Sequence, residues 1–294
     1  MSLLFDEITI TIVLYEENLA SVSKCLKNLK NFRIIIVDNA GDYNLKKEIE
    51  KNYNIDKYIV NNSNTGFSKG SNQAIKLCKT KFILSMEADC IILEKDIQIL
   101  LDSYKKYQNC FIVTPTFYNE KSELSYNGGP LPDNNIGIKT INLEGDLCVE
   151  SASTAAILFK RSDFLEIGLF DENLFIYFPD FEIGRRIKKT GKSIIQIFDA
   201  KSTHVHGELK VKNFFKRIFF RNYYFTLDEL RYYQKINNHH HKFNELKKKI
   251  PKLLLKFIIN LIIFRWGKSI HSLARIFAYY KFKRSSTLDW LKLF

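Results

Sequence analysis

Hydrophobic and polar positions form blocks of two different periods along the first part of the chain. Short apolar, mostly β-branched runs predict buried strands, and apolar residues spaced by three or four positions predict helices between them. Because strands and helices alternate with short connections, the pattern predicts a parallel sheet with helices on both faces. The predicted strands are 8–15, 33–37, 57–60 and 81–86, and the predicted helices are 17–29, 44–52 and 67–78.

The pattern continues less regularly to about residue 207 and then changes. Residues 118–150 are rich in Asn, Gly, Pro and Asp, which predicts a loop-and-hairpin insertion. Beyond 207 the chain consists of long basic and aromatic stretches with helical spacing. We therefore predict an α/β domain over 1–207, with halves at about 1–90 and 91–207, and a helical region over 208–294. The further predicted elements are a helix at 95–105, a strand at 110–117, a strand at 154–159, a helix at 180–189 ended by Gly191, and strands at 193–198 and 202–206.

Charge separates the same two regions. The 294 residues carry a net charge of +13, yet residues 207–294 alone hold 20 Lys and Arg against 5 Asp and Glu. The remaining 25 basic and 27 acidic residues nearly cancel. This asymmetry predicts an anionic partner for the C-terminal region, either a membrane or a nucleic acid, with a solvated helical face as the alternative. The sequence has no RRM, KH or zinc-finger signature, which argues against nucleic acid.

An apolar run at 253–264 favours a membrane over a nucleic acid as the anionic partner of the C-terminal region. It is interrupted by Lys256 and Asn260 and is too short to span a bilayer. Basic amphipathic helices of this kind lie in the interface of anionic membranes. The alternative is a helical subdomain packed on the catalytic core or on a second subunit, and the oligomeric state is left open.

Two features indicate the compartment. The five cysteines form no CxxC pair and no zinc spacing, which predicts thiols in a reducing environment. The first seven residues lack the basic and apolar pattern of a secretory signal. We therefore expect a cytoplasmic protein.

Three acidic stretches carry the candidate chemistry: Glu87-Ala88-Asp89, Phe170-Asp171-Glu172 and Asp180-Phe181-Glu182. The first directly follows the predicted strand 81–86, at the end where open α/β sheets bind ligands. Two carboxylates one residue apart suit a hard divalent cation that bridges to a diphosphate. The alternative is an ordinary loop that precedes the next helix.

Together with other motifs in the same order, these stretches resemble a family 2 glycosyltransferase of the bacterial rhamnosyltransferase-like branch. The resemblance covers roughly residues 8–207. It implies a GT-A fold with a mostly parallel sheet, a UDP- or dTDP-linked sugar donor, a Mn²⁺ or Mg²⁺ ion and inverting transfer. The motifs that carry it are Tyr15, Val37-Asp38-Asn39, Asn64-Thr65-Gly66-Phe67, Glu87-Ala88-Asp89, Gly168-Leu169-Phe170-Asp171-Glu172, Asp180-Phe181-Glu182-Ile183-Gly184-Arg185-Arg186 and His204.

Several of these residues are expected at the nucleotide. Asp38, at the end of the second strand, suits the imide of the base or a ribose hydroxyl, or else caps a helix. Tyr15 would pack on the base, or is an ordinary edge aromatic. The resemblance implies that the stretch with Asn64, Gly66 and Lys69 lines the nucleotide pocket; a plain capped turn is the alternative.

The resemblance also assigns the metal. Asp89 matches the last Asp of the family's DxD motif and is the expected metal ligand. Glu87 departs from the usual first Asp or Asn, so it would reach the metal through water or contact the donor sugar directly. His204 follows Ala200 by four residues, as the family's metal-ligating His does.

The resemblance makes Asp180 the catalytic base, although Pro179 stands where the family has Glu; a helix cap is the alternative. Asp171, Glu172 and Arg186 are expected on the acceptor side, with a surface salt bridge as the alternative for Arg186.

The predicted function is thus metal-dependent inverting transfer of a sugar, such as rhamnose or another deoxyhexose, to a bacterial surface glycan. A polyprenyl-linked acceptor would place the enzyme at the inner face of the cell membrane, with residues 208–294 in peripheral contact. Two alternatives are a degenerate relative that binds donor without turnover, suggested by Glu87 and Pro179, and a protein that binds nucleic acid through its basic tail. A sugar nucleotidyltransferase would need a glycine-rich triphosphate loop after the first strand, and 14–17 supplies none.

Overall fold

A computed structural model describes residues 4–125, 128–132, 144–205, 211, 213–237 and 239–291. The chain divides into two compact units. Unit 1 comprises Met1–Asp171 and Pro179–Glu208, and unit 2 comprises Glu172–Phe178 and Leu209–Phe294. The short segment Glu172–Phe178 therefore belongs with the C-terminal helices, which the sequence pattern did not indicate.

Unit 1 is built on a nine-stranded sheet. The strands are β1 (Ile8–Leu14), β2 (Arg33–Asp38), β3 (Lys57–Val60), β4 (Phe82–Glu87), β5 (Cys90–Ile92), β6 (Cys110–Tyr118), β7 (Leu147–Val149), β8 (Ala156–Lys160) and β9 (Ser193–His204).

Helices flank this sheet. Those of unit 1 are α1 (Leu4–Glu7), α2 (Leu19–Leu26), α3 (Tyr43–Asn52), α4 (Phe67–Leu77), α5 (Glu94–Lys106), α6 (Arg161–Glu166) and α7 (Pro179–Lys189). Unit 2 contains α8 (Phe214–Lys235), α9 (His239–Ile262) and α10 (Trp266–Leu291).

The sheet has the order β3-β2-β1-β4-β8-β6-β9-β5, with β7 paired to β9. Its first four strands are parallel, as the alternating pattern predicts. The second half is mixed, because β8 runs antiparallel to both β4 and β6, and β5 and β7 run antiparallel to β9. The expectation of a mostly parallel sheet is thus wrong for this half. Periodicity reports whether a strand is buried but not its direction.

Two apolar layers, one on each face of the sheet, form the core of unit 1. One layer packs α2, α3 and α5 against β1, β2 and β4, with Ile10, Ile12 and Leu84 fully buried. The other packs α4, α6 and α7 on the opposite face, around Phe159 and Phe164, whose rings stack at 4.0 Å. Because both faces are covered, the strands appear in the sequence as continuous apolar runs.

Three expectations about individual elements need correction. The strands predicted at 193–198 and 202–206 are one strand, β9, whose pairing with β6 shifts register at Pro115 and Thr116. The polar residues around His239–His241 predict a linker, whereas in the structure this tripeptide is the first turn of α9. Strand β5 follows Asp89 where the sequence pattern predicted no strand, because its three residues are too short to show a period. Within the insertion predicted at 118–150, residues 126, 127 and 133–143 lie outside the described residues.

Unit 2 is a three-helix bundle with its own core. Residues from α8, α9 and α10 form this core, and Tyr232 is fully buried in the same unit. The segment Glu172–Phe178 is fixed to α8 by Asp228, whose Oδ2 accepts the backbone N–H groups of Phe175, Ile176 and Tyr177 at 3.0–3.1 Å. Burial raises the pKa of Asp228 to about 6, against the opposing effect of these three hydrogen bonds. Among the described residues, no helix is long and apolar enough to cross a membrane.

Candidate active site

The carboxyl ends of three parallel strands bring the first candidate residues to one edge of the sheet. The register pairs Leu14 of β1 with Asp38 of β2, and Val13 with Glu87 of β4. Tyr15 follows β1 directly and is half-buried. Tyr15, Asp38 and Glu87 therefore reach the edge at which open α/β sheets bind ligands.

Strand pairing also places His204 beside the acidic pair. Strand β5 begins just after Asp89 and runs antiparallel to β9, with Cys90 opposite His204. The backbone N–H of Val205 donates to the carbonyl of Asp89 at 3.1 Å. Two residues more than a hundred positions apart are thus fixed as neighbours by main-chain hydrogen bonds.

The cluster of Glu87, Asp89 and His204 has the composition of a cation site. Its three ligand atoms lie within 4.8 Å of one another. Nε2 of His204 is 3.4 Å from Asp89 Oδ1 and 3.5 Å from Glu87 Oε2. Burial lowers the pKa of His204, but its hydrogen bonds to the two carboxylates and their charges outweigh burial and raise this pKa to about 9. The protonated ring thus supplies the positive charge that two adjacent carboxylates require, and a metal ion bound to this nitrogen would displace its proton. Two carboxylate oxygens and an imidazole nitrogen are also ligand types of divalent metal sites.

Asp38 is fully buried at the same edge. Its Oδ1 accepts the N–H of Ala40 at 2.6 Å and its Oδ2 accepts the hydroxyl of Tyr58 at 3.2 Å. Burial raises the pKa of Asp38, and these two hydrogen bonds oppose the shift. Each carboxylate oxygen has a second lone pair, so these bonds leave acceptor capacity for a ligand.

The stretch with Asn64 and Gly66 forms a tight turn before α4. Asn64 Oδ1 accepts the N–H of Gly66 at 2.9 Å, and Gly66 has a φ of 85°, which glycine adopts without strain. Gly66 is also the residue that precedes the first helical residue, and it has no side chain to cap the helix. The N-terminal N–H groups of α4 therefore suit an anion. Lys69, in the first turn of α4, is exposed.

A network of amide side chains holds this turn, and the sequence analysis missed it. The Asn39 side chain donates to the carbonyl of Gly66 at 3.0 Å and accepts from Thr65 Oγ1 at 2.9 Å. Asn61 donates to Asn39 at 2.8 Å and to Gln73 at 2.8 Å. The network ties the ends of β2 and β3 to α4. The available signal was polar amides directly after two apolar strands.

Asp180 is the second residue of α7, which begins at Pro179. It is therefore not the residue that caps the helix, and Pro179 takes the first helical position, where a missing N–H costs nothing. Burial of the carboxylate raises the pKa of Asp180 to about 7. The N–H groups of Phe181 and of Asp180 itself oppose this shift, and the charge of Glu87 adds to it. A carboxylate with a pKa near 7 matches a general base.

The three acceptor-side candidates lie in different settings. Asp171 is the last residue of its section of unit 1, and Glu172 begins the segment that belongs to unit 2. The guanidinium of Arg186 pairs with Glu182 at 2.6–3.0 Å and also donates to the carbonyls of Ile167 and Leu169. Arg186 thus fixes the turn that leads into Asp171. Its carboxylate partner is the nearly buried Glu182, which the sequence analysis did not consider for this role.

Asn72 is a second residue that the sequence analysis assigned no role. It is buried in α4, and its side chain bonds both the N–H and the carbonyl of Phe170, at 3.0 and 2.9 Å. This two-point contact fixes the residue before Asp171 against α4. A buried polar residue on the apolar face of a helix is the signal that would have found it.

Comparisons with known proteins agree with this arrangement. The family model described as "Glycosyl transferase family 2" matches residues 9–168. The chain is 25% identical over 215 residues to the low-salt glycan biosynthesis hexosyltransferase Agl10 of Haloferax volcanii, covering 67% of each chain. It is 27% identical over 210 residues to the dTDP-rhamnosyl transferase RfbF of Shigella flexneri, covering 68% of this chain and 70% of the other.

Solved structures show the fold. A mannosyltransferase from Pyrobaculum calidifontis, in complex with GDP-Man and Mn²⁺, aligns with a TM-score of 0.54 and 10% identity over 94% of this chain and 86% of its own. GalNAc-T7 with UDP, GalNAc and Mn²⁺ aligns with a TM-score of 0.56 and 14% identity over 76% of this chain, which corresponds to only 51% of GalNAc-T7. The predicted GT-A fold is confirmed, with a mixed sheet.

Proposed function

The chain belongs to glycosyl transferase family 2 and is a glycosyltransferase, and from this premise we propose that it is a metal-dependent, inverting enzyme that uses a nucleotide-diphosphate sugar. The observation that carries the proposal is the cluster of Glu87, Asp89 and His204 at the carboxyl edge of the sheet, with Asp180 close enough for Glu87 to raise its pKa. A cation site and a base tuned near neutral pH are the two components that such a transfer needs.

The nucleotide occupies the edge formed by β1, β2 and the start of α4. Tyr15 packs on the base, and Asp38 accepts from the base imide or the ribose with the lone pairs that Ala40 and Tyr58 leave available. The turn at Asn64 and Gly66 presents the N-terminus of α4 to the diphosphate, and Lys69 adds a positive charge. The relative RfbF is named for dTDP-rhamnose, which supports a dTDP- or UDP-linked deoxyhexose as donor.

Asp89 and His204 would hold the metal, and Glu87 would reach it through water or contact the donor sugar. The imidazole favours Mn²⁺ over Mg²⁺, since Mg²⁺ strongly prefers oxygen ligands. When bound, the ion supplies positive charge that neutralises the leaving diphosphate.

Asp180 acts on the acceptor. Its carboxylate removes the proton of the acceptor hydroxyl while the hydroxyl oxygen forms a bond to the anomeric carbon. The bond from that carbon to the diphosphate oxygen breaks on the opposite face, so the configuration inverts. Asp171, Glu172 and Arg186 shape the acceptor side, where Arg186 acts by fixing the turn at Leu169. Asp180 keeps the proton until the product leaves.

The acceptor is a glycan precursor, and we place it on a polyprenyl-linked carrier at the cytoplasmic face of the membrane. The support is the charge of residues 207–294, where 20 of the chain's 45 basic residues accompany only 5 acidic ones. Anionic lipids attract such a region. Residues 208–294 then give the enzyme a peripheral membrane contact.

Nucleotide binding tests the donor site directly. Thermal unfolding is measured with UDP, dTDP and GDP, each with and without Mn²⁺, on the wild-type protein and on Asp89→Ala. At 100 times Kd a ligand stabilises by about 2.7 kcal/mol, which corresponds to roughly 5–10 °C for a protein of this size. We expect a Mn²⁺-dependent shift with dTDP or UDP in the wild type and its loss in Asp89→Ala.

The matched control is Asp102→Ala, which removes an exposed carboxylate on α5 whose one hydrogen-bond partner among the described residues is Gln98. This variant should keep the full shift. A shift that does not depend on Mn²⁺, or that survives in Asp89→Ala, would contradict the metal assignment. No shift with any nucleotide would contradict the proposed nucleotide-diphosphate donor.

A further inference from the structure

The connection between α9 and α10 exposes an unusual amount of apolar surface. We call residues 254–266 the hairpin tip. Its most exposed members are Phe264 at 74% and Ile262 at 67%, and Trp266 packs edge-on against Phe264 at 5.8 Å. The exposed large apolar residues of the tip are Leu254, Leu255, Ile258, Ile259, Leu261, Ile262, Ile263, Phe264 and Trp266. Contiguous apolar patches of this kind mark interaction sites.

Packing within unit 2 does not account for these residues. Helix α9 packs on the bundle through one stripe, in which Leu246, Ile250 and Leu253 are buried. Along its first half, residues off that stripe are polar, as in an ordinary amphipathic helix. From Leu254 onward the residues off the stripe are apolar except Lys256. The second half of α9 therefore carries apolar side chains that are not part of the core of unit 2.

The backbone at the turn supports the same conclusion. Phe264 has a φ of 57°, in the left-handed region. The N–H of Arg265 donates to the carbonyl of Asn260 at 2.8 Å, so α9 ends in a Schellman-type turn whose left-handed position is normally glycine. A phenylalanine there costs strain, and it is the most exposed large apolar side chain of the described residues.

The charge around the hairpin tip indicates which kind of partner binds it. No Asp or Glu occurs between Glu245 and Asp289, while that interval holds eleven Lys and Arg. Lys252, Lys256, Arg265 and Lys268 lie in or beside the tip, and all are exposed. A second copy of the chain docked here would bring two sets of cations together with no acidic partner in this interval, whereas an anionic bilayer offers both apolar depth and negative charge.

Length and polar groups also fit a bilayer. The helical part of the tip, 254–262, is roughly 14 Å long, comparable to one leaflet of a hydrocarbon core about 30 Å thick. Asn260, the one uncharged polar side chain of the tip, donates to the carbonyl of Lys256 at 2.6 Å. Its amide group therefore has a hydrogen-bond partner within the helix when the tip lies in the membrane interface.

We propose that the hairpin tip inserts into one leaflet of an anionic membrane, with Phe264 and Trp266 at its leading end and the surrounding cations at the lipid phosphates. The proposal refines the membrane contact suggested for 208–294, and it does not require the enzyme to turn over.

The test uses the full chain and vesicles of phosphatidylcholine with and without 30% phosphatidylglycerol. The chain has two tryptophans, Trp266 and Trp290, so Trp290→Phe leaves a single reporter at the tip. We expect co-sedimentation with the anionic vesicles that weakens at 500 mM salt. A blue shift of Trp266 emission and its quenching by brominated acyl chains should accompany binding.

Phe264→Gly is the informative variant, because glycine fits the left-handed position and the fold should not suffer. It should weaken vesicle binding roughly tenfold, the order expected for one large apolar side chain. The double variant Ile258→Ser, Ile262→Ser should do the same. Tyr43→Ser is the control, since Tyr43 is 60% exposed on α3 of unit 1 and should not affect binding.

Three results would overturn the proposal. These are absence of binding to anionic vesicles, binding that the tip variants leave unchanged, and a dimer in sedimentation equilibrium that Phe264→Gly dissociates while the wild type ignores vesicles. Nucleotide-induced thermal shifts, measured on the same variants, separate this outcome from the proposed function, because the tip variants should keep them in full.

Discussion

The two units of this protein differ in which side chains they bury and which they expose to solvent. Unit 1 covers both faces of its sheet and contains two carboxyl groups, those of Asp38 and Asp180, whose pKa values are raised by burial. Unit 2 has a much smaller core and leaves nine large apolar side chains exposed at one turn. Residues 1–206 have nearly balanced charge, while 207–294 are strongly basic. In each unit the residues that conflict with stable folding are concentrated in one place.

This difference shows where to look for function. In unit 1 the conflict is electrostatic, because burial raises the pKa of Asp180 to about 7 and because the carboxylates of Glu87 and Asp89 lie side by side. In unit 2 the conflict is hydrophobic and steric, at Phe264 and its neighbours. Local violations of folding rules are expected at functional sites. If the comparison is right, substitutions in one place should change one property and leave the other unit's property intact.

The largest effect is expected from Asp180→Asn. The amide cannot accept the acceptor's proton, so kcat should fall by about 10²–10⁴-fold, the usual contribution of a general base. Steady-state transfer from the donor that nucleotide binding identifies provides the measurement. Nucleotide binding and vesicle binding should not change, and the melting temperature should be equal or higher because a buried charge is removed.

Asp163→Asn is the control for this prediction. Asp163 lies on α6 and pairs with Lys192, away from the candidate cluster. Its substitution should leave kcat within a factor of about two. Activity of Asp180→Asn close to the wild-type value would mean that another group is the base.

The sequence predicted the parallel half of the fold well and the mixed half poorly. Strands such as those predicted at 33–37 and 81–86 stand out because they are buried on both faces and bounded by turn residues. Strand β5 was missed because three residues show no period, yet its pairing is what places His204 beside Asp89.

The residues of the candidate site could likewise be predicted only in part from the sequence. Motif order named Glu87, Asp89 and His204, and the structure brings these three together. It did not show that Arg186 would bond Glu182 and two carbonyls, or that Asn72 would hold Phe170. The pair of Arg186 and Glu182 is an i,i+4 contact that helical spacing could have indicated. The other contacts depend on helix orientation across the sheet, which local sequence does not encode.

Gly184→Ala should damage unit 1 alone. A Cβ at Gly184 would lie 2.3 Å from the carbonyl oxygen of Glu150, a backbone atom that cannot move aside cheaply. Overpacking of this kind costs typically 1–3 kcal/mol and outweighs the gain of about 1 kcal/mol for alanine in a helix. Gly145→Ala, where a Cβ meets nothing within 4 Å, is the matched control.

Two spectroscopic probes separate the units in this experiment. Trp266 lies in unit 2, so in a Trp290→Phe background its fluorescence reports the unfolding of that unit, while far-ultraviolet circular dichroism reports both units. Gly184→Ala should lower the urea midpoint of the dichroism signal and leave the fluorescence midpoint in place. If both midpoints move together, the units unfold as one and the comparison between them fails for stability.

The pH dependence of transfer should follow Asp180. Its carboxylate must be ionised to act, so kcat/KM should fall about tenfold per pH unit below an apparent pKa at or somewhat under 7. Burial, the main cause of the shift, persists when a metal is bound, whereas the contribution of Glu87 is reduced.

The raised pKa of Asp180 makes the stability of unit 1 depend on pH in the direction opposite to the transfer rate. The folded state holds this proton more tightly than the unfolded state between about pH 4 and 7, so the contribution of Asp180 to the stability of unit 1 declines as pH rises through that window. Transfer rates and urea midpoints from pH 5.5 to 8 measure both slopes. A flat rate profile, with donor binding constant over the range, would exclude Asp180 as the base.

The smallest effect concerns the strained turn of unit 2. Gly66 in unit 1 and Phe264 in unit 2 both have positive φ, at 85° and 57°, but only the first is a residue that tolerates it. Phe264→Gly relieves a left-handed strain of about 1–2 kcal/mol. It also loses the ring contact with Trp266 and gives the unfolded chain more freedom, so the net gain should be under about 1 kcal/mol.

Phe264→Ala separates these contributions, because alanine removes the ring but keeps the strain. In urea titrations followed by fluorescence, Phe264→Gly should therefore be more stable than Phe264→Ala, while both lose vesicle binding alike. The reverse order of stability would mean that the turn is not strained by its side chain. Phenylalanine would then be present for packing within unit 2, and the contrast between the two units would rest on exposed surface alone.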